Sequence, residues 1–164
     1  SRRYDYSCGE KTVCSRGQIY NMKIISHRGN LDGPQPQDNV ISQLQEVSQT
    51  MLVEVDVWHT GYGWYLGHDG PERAISFDFI TNPNFILHAK NLGALYKLTG
   101  TNLHYFWHQE DDFTLTSRKI IWTYPKKEVT NRSIIVCQTL EEVEQYKSKD
   151  IWGICTDYVK DAQK

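Results

Sequence analysis

Leu52-Val53-Glu54-Val55-Asp56-Val57-Trp58 is the stretch that decides how this chain is read. Three valines alternate with two acids, so in a strand the valines take one face and Glu54 and Asp56 the other. Two residues of strand rise put the acidic Cβ atoms ~7 Å apart on that common face. Alternating valines call for burial against helices, as in a parallel sheet covered on both sides. Two inward carboxylates repel each other unless something positive lies between them, and a divalent cation meets that need. The competing reading is an edge strand with a solvated acidic face.

Outward from this strand, histidines close other short strands. Ile25-Ser26-His27-Arg28-Gly29 places His27 at a strand's C-terminal end, where parallel sheets hold their ligands. Leu66-Gly67-His68-Asp69 ends in a second histidine. Two histidines near two carboxylates fit an acid–base pair around a metal-bound anion. In Ile86-Leu87-His88-Ala89-Lys90, His88 and Lys90 share a face, and Lys90 suits a phosphate counter-charge. A solvated Lys at a strand end is the alternative. His108 ends Tyr105-Phe106-Trp107-His108 in the same way. Trp58, Trp107, Trp122 and Tyr124 lie near strand ends, where they either line a pocket or pack in the core.

Strands and helices alternate after Met22, the pattern of a parallel α/β fold. The strand candidates are Lys23–His27, Leu52–Trp58, Phe85–Lys90, Leu103–His108, Ile120–Tyr124, Ser133–Cys137 and Gly153–Val159, with Trp64–Gly67 a short addition. Helices are expected over Asn39–Thr50, with Asp38 or Asn39 as N-cap, over Asn91–Leu98, and over Leu140–Lys147 behind the capping box Thr139-Leu140-Glu141-Glu142. Ser1 to Asn21 is polar and aperiodic. It reads as an N-terminal extension or an expression remnant, leaving residues 22–164 as a single domain.

Composition narrows the function classes. Eighteen Lys and Arg against twenty Asp and Glu give a net charge of −2, so no global field draws nucleic acid or anionic membrane. No apolar run is long enough to span a bilayer, and no signal-peptide core opens the chain, so a soluble, cytoplasmic protein is expected. Four cysteines make no disulfide framework in 164 residues. Cys137 and Cys155 read as buried thiols, and Cys8 and Cys14 leave a local disulfide open. No spacing of Cys and His suits structural zinc.

The joint pattern resembles the glycerophosphodiester phosphodiesterases, in the compact form found in microbes and their viruses. The residues that carry the resemblance are His27-Arg28-Gly29, Gln37-Asp38-Asn39 before a helix, Glu54-Val55-Asp56, His68-Asp69, His88-Ala89-Lys90 and Gly153-Ile154-Cys155-Thr156-Asp157. The resemblance implies a metal-dependent phosphodiesterase. Glu54 and Asp56 would be metal ligands, with His88 and Asp38 as lesser ones. His27 and His68 would be the general acid and base, and Arg28 and Lys90 the phosphate contacts. Trp58, Trp107, His108, Trp122 and Tyr124 would form the head-group pocket.

The cofactor implied is one divalent cation, Mg²⁺, Ca²⁺ or Mn²⁺ ahead of Zn²⁺. His88 stands where the family usually has a third carboxylate, which makes the site less negative, weakens Ca²⁺ or Mg²⁺ and shifts it toward Mn²⁺ or Zn²⁺. The substrate would be a small-molecule phosphodiester or a glycerol-phosphate polymer, and a homo-oligomer is among the expected states. Two alternatives remain: a catalytically reduced phosphate-binding module of a larger assembly, and a lyase releasing a cyclic phosphate.

The implied fold is a (β/α) barrel. A full one takes roughly 250 residues. The expectation is therefore a reduced TIM-like barrel with about seven strands and several outer helices shortened or missing.

Overall fold

The computed structural model describes residues 22–164. In chain order its elements are β1 (Lys23–His27), α1 (Ile41–Val47), β2 (Leu52–Thr60), β3 (Gly63–Leu66), β4 (Arg73–Ile75), α2 (Phe77–Ile80), β5 (Phe85–Ala89), α3 (Leu92–Leu98), β6 (Tyr105–Trp107), β7 (Phe113–Leu115), β8 (Ile121–Thr123), β9 (Ser133–Cys137), α4 (Leu140–Lys147), β10 (Gly153–Thr156) and α5 (Val159–Ala162). The Cys8–Cys14 disulfide and the reading of residues 1–21 lie outside the described residues.

All ten strands belong to one sheet. A parallel run, β6-β5-β2-β1-β10-β9-β8, forms its body. Antiparallel strands are added to it: β3 on the far end of β2, β4 on β3, and β7 on β8. The expected reduced TIM-like barrel is therefore corrected to a mixed sheet curled into a half-barrel.

The reason lies in the connections. A (β/α) barrel needs a helix after each strand to return the chain and cover the sheet. Here β2 turns straight into β3, and β6, β7, β8 and β9 follow one another with no helix between them. Among the described residues no ladder pairs β6 with β8. Isolated bonds bridge from β6 toward the β7 segment, such as Ser117 N–H to Tyr105 O at 2.8 Å and Thr114 Oγ1 to Trp107 O at 2.9 Å.

The period-2 alternation then sorts the side chains. Val53, Val55 and Val57 face outward and pack with Leu44, Leu87 and Leu98 under α1 and α3. Ile135, Cys137 and Ile154 meet Val143 and Tyr146 of α4. The inner, concave face holds Ile25, Ile86, Phe106, Trp122, Ile134 and Cys155. Burying each large aliphatic side chain contributes roughly 1.5–3 kcal/mol. Cys137 and Cys155 are buried free thiols, and burial pushes the Cys137 pKa up to about 12, so it stays an inert thiol.

Two helices start as their caps dictate. Asn91 accepts from Ala94 N–H, and Thr139 accepts from Glu142 N–H while Glu142 reaches back to Gln138 N–H. Such caps are worth about 1 kcal/mol each. Helix α1 departs from expectation: Val40 is its N-cap and makes no side-chain bond. Asp38 and Asn39 are turned into the site instead. No described helix is long and apolar enough to cross a membrane.

Candidate metal centre

Strand register brings the chemistry to one end of the concave face. His27 pairs with Glu54 between β1 and β2, and Asp56 pairs with His88 between β2 and β5. Glu54 and Asp56 are buried on the inner face. His88 Nδ1 lies 3.5 Å from Glu54 Oε1 and 3.2 Å from Asp56 Oδ1. One ligand atom from each of Glu54, Asp56 and His88 lies within 4.8 Å of the others, so this buried group could hold a metal ion.

The supporting contacts leave particular atoms free. His88 Nε2 stands 2.8 Å from the His108 carbonyl, which only accepts, so Nε2 carries a proton and Nδ1 faces the carboxylates. This is how ligating imidazoles are commonly oriented. Asp56 Oδ2 is held by Arg28 Nε at 3.0 Å and Asn39 Nδ2 at 3.0 Å. Its Oδ1, like Glu54 Oε2, is buried and accepts no aligned hydrogen bond from the described residues. Asp56 Oδ1 and Glu54 Oε2 thus meet nearby charges but no aligned donor, and a divalent cation would satisfy them, so the donor set fits such an ion.

Charge balance shapes the protonation states. Burial pushes the Asp56 carboxyl up, but His88, Arg28 and Lys90 outweigh it and hold it below the usual carboxylate range. Burial pushes His88 down, yet Asp56 and Glu54 overcome this and raise it to about 9. Without a cation the ring is thus positive at neutral pH. Metal binding has to displace its Nδ1 proton.

His27 is oriented independently. Its Nδ1 donates to Asp157 Oδ1 at 3.0 Å, and Asn30 Nδ2 donates to the same oxygen at 2.8 Å. Its Nε2 lies 3.7 Å from Glu54 Oε2. Burial opposes its charge, but the Asp157 bond and Glu54 raise its pKa overall. Arg28 follows with φ 56°, a left-handed backbone that an arginine adopts only under constraint. The constraint is visible: Arg28 N–H donates to Glu54 O, and Asn39 N–H donates to Arg28 O. Arg28 Nη1 also reaches Asp38 Oδ2 at 2.9 Å. Asp38 therefore buttresses Arg28 and is not one of the clustered ligands. Lys90 Nζ completes the rim, 4.0 Å from Asp56 Oδ1.

Other expected residues stand apart. His68 follows Gly67, whose N–H donates to Asp56 O at 3.3 Å, so the backbone arrives beside the acidic strand. Gly67 has φ 151°, and a Cβ there would lie 2.0 Å from Gly70 O, so no other residue fits this turn. The His68 ring is 40% exposed and bonds Asp69. Among the described residues it makes no hydrogen bond or ion pair with His27, Glu54 or Asp56. Trp58 Nε1 donates to Gly67 O at 2.7 Å and ties β2 to β3. Trp107 does not line the site; it packs in the outer core cluster. Trp122 stacks on Phe106 at 4.3 Å, and Phe106 stacks on His88 at 4.7 Å, which builds the floor. Tyr124 lies against His108 at the rim.

Three site residues escape a reading of the residues alone. Asn30 has no local signature. Asp157 enters only as the end of a motif, and Asn39 only as a helix cap. Comparison with protein-family models, with curated proteins and with solved structures yields no match.

Proposed function

We propose that the chain is a divalent-cation-dependent phosphodiesterase acting on glycerophosphodiester-type substrates, either small diesters or a glycerol-phosphate polymer. The observation that carries this reading is the convergence of Glu54, Asp56 and His88 beside two cationic side chains and an acid-oriented histidine. Glu54, Asp56 and His88 would hold the ion, which would act as a Lewis acid toward a phosphoryl oxygen. Two carboxylate oxygens and an imidazole suit Mn²⁺ first, then Mg²⁺ or Ca²⁺, with Zn²⁺ behind them.

Arg28 and Lys90 draw the phosphoryl oxygens and offset the charge that spreads over them in the transition state. Asp157 holds His27 by Nδ1, so Nε2 is the atom that takes a proton from the attacking hydroxyl or water and returns it to the leaving alkoxide. His68 is the remaining acid–base candidate and would have to leave Asp69 to take part.

A second reading, a phosphate-binding module without turnover, is favoured by that separation of His68. Turnover on glycerophosphodiesters, with and without chelator, in wild type and His27→Ala decides between them. Activity that survives both treatments overturns the mechanism. Phosphate-analogue binding with no turnover on any diester supports the module. A cyclic phosphate as end product identifies a lyase.

A further inference from the structure

A cavity of about 690 Å³ opens at the end of the sheet opposite the metal centre. It is lined where the parallel strands begin: Lys23 opens β1, Leu52 opens β2, and Asn84, His104 and Ile120 directly precede β5, β6 and β8. These five stand two residues before Ile25, Glu54, Ile86, Phe106 and Trp122 of the inner face, so the pleat gives them the same side. A packed barrel fills such a layer with branched apolar side chains. Here Lys23, Asn84 and His104 are polar, and the space between them stays open. Its volume falls within the ~300–1,000 Å³ of small-molecule sites.

The charge in this cavity has one sign. Lys23 and Arg118 line it, and no aspartate or glutamate does, although acids outnumber bases in the chain. Among the described residues neither cation forms a salt bridge. Lys23 Nζ lies 5.7 Å from the centre of the Trp152 ring, and Arg118 Nη2 reaches only the Asn102 carbonyl, at 3.5 Å. The adjoining cavity, which shares Lys23 and Trp152, adds Arg132 and Asp150, one charge of each sign. His104 is only 6% exposed and hydrogen-bonds Thr116 Oγ1 through Nε2, while its Nδ1 makes no hydrogen bond among the described residues. Buried polar side chains normally satisfy such atoms, so Nδ1 calls for a ligand or ordered water. Met51, Leu52, Ile120 and Trp152 supply an apolar wall beside these groups.

We propose that this cavity is a second binding site, for a small organic anion with an apolar body. The anionic head is drawn by Lys23 and Arg118, whose N–H groups make charge-assisted hydrogen bonds to it. The body lies against Trp152, Met51 and Ile120. The site uses the opposite ends of the strands that carry the metal centre, and it stands whether or not the chain cleaves a phosphodiester.

The test uses 2-naphthoate and 2-naphthalenemethanol, which share a body and differ in charge. Calorimetry compares their binding to the full chain in wild type, Lys23→Gln and Arg118→Gln. Wild type should bind the carboxylate at least about tenfold more tightly than the alcohol. Each variant should lose about tenfold for the carboxylate and leave the alcohol unchanged. Both side chains are exposed, so the variants should fold. In NMR titrations the ring signals of His104 should move with naphthoate while those of His27 and His88 stay in place. Equal binding of carboxylate and alcohol, no binding of naphthoate at millimolar concentration, or unchanged affinity in both variants overturns the proposal. So does a shift confined to His27 and His88, which would seat the anion at the metal centre.

Discussion

Asn39 and Asp56 clasp each other twice: Asn39 Nδ2 donates to Asp56 Oδ2 at 3.0 Å, and the Asp56 backbone N–H donates to Asn39 Oδ1 at 3.1 Å. Both residues are fully buried. The left-handed backbone of Asn39, φ 52°, aims its amide at β2, and Asn tolerates that conformation better than most residues. Asn39→Ala should therefore lower stability by about 2–4 kcal/mol, since it orphans the buried Asp56 N–H, leaves Oδ2 with Arg28 alone and strains the backbone. Chemical denaturation measures this. A loss under about 0.5 kcal/mol, the size of an ordinary surface change, would show the clasp to be incidental.

The same clasp shows where sequence and structure part. An Asn just before a helix reads as a cap, and only the bend of the chain after Arg28 reveals that its amide serves Asp56. The site-bearing strands themselves are legible: the alternation of Val53–Val57 and the β-branched run in Ser133–Cys137 admit one kind of element. Closure of the sheet is not legible, because it depends on helices that must be present after β6, β7 and β8 and are not. Strands as short as β4 and β7 carry too few residues to show a period. Asp157 gains its role from β10 lying beside β1, a pairing across most of the chain with no local sign.

The two histidines should not be equivalent. His27→Ala should lower kcat by about 10²–10⁴-fold, the usual loss of a general acid–base group. Asp157→Asn should lower kcat by about tenfold or more with KM little changed, since it disturbs the His27 ring and not Arg28 and Lys90, the proposed phosphate contacts. His68→Ala should cost less than about tenfold. Steady-state kinetics on one glycerophosphodiester checks all three. A His68→Ala defect as deep as that of His27→Ala would mean that His68 moves into the site during turnover.

Cation binding should appear as stabilisation. An ion that binds only the folded chain adds about 2.7 kcal/mol at a hundredfold excess over Kd. Mn²⁺ should raise Tm in a thermal melt, and chelator should reverse the rise. Glu54→Gln removes one ligand charge at constant volume and should abolish most of the gain. An equal rise in the variant would place the ion elsewhere.

His104 makes stability depend on pH. Its buried Nε2 hydrogen-bonds with Thr116 Oγ1 at 2.8 Å, and burial with the Arg118 charge lowers its pKa from 6.5 to about 4. The folded chain therefore resists a proton that the unfolded chain accepts. The stabilisation is complete above pH 6.5 and is lost as pH falls toward 4. With allowance for partial solvation of the ring, the loss is on the order of 2 kcal/mol. Denaturation midpoints of wild type and His104→Asn should converge across this window. Parallel curves would show that another group carries the dependence.

The margins of the sheet, β6 and β7, are joined by isolated hydrogen bonds and not by a ladder, which gives the inner stack Trp122–Phe106–His88 a mechanical role. Where a closed barrel would have a backbone ladder, the ring of Trp122 on β8 meets that of Phe106 on β6, and Phe106 in turn lies against its register neighbour His88, a member of the candidate metal centre. The distance between β6 and β8 is then set by ring size together with those few bonds, and not by a strand ladder. Exchanging Phe106 or Trp122 for a larger or smaller ring should therefore widen or narrow the cleft at its floor without replacing any charged residue of the centre.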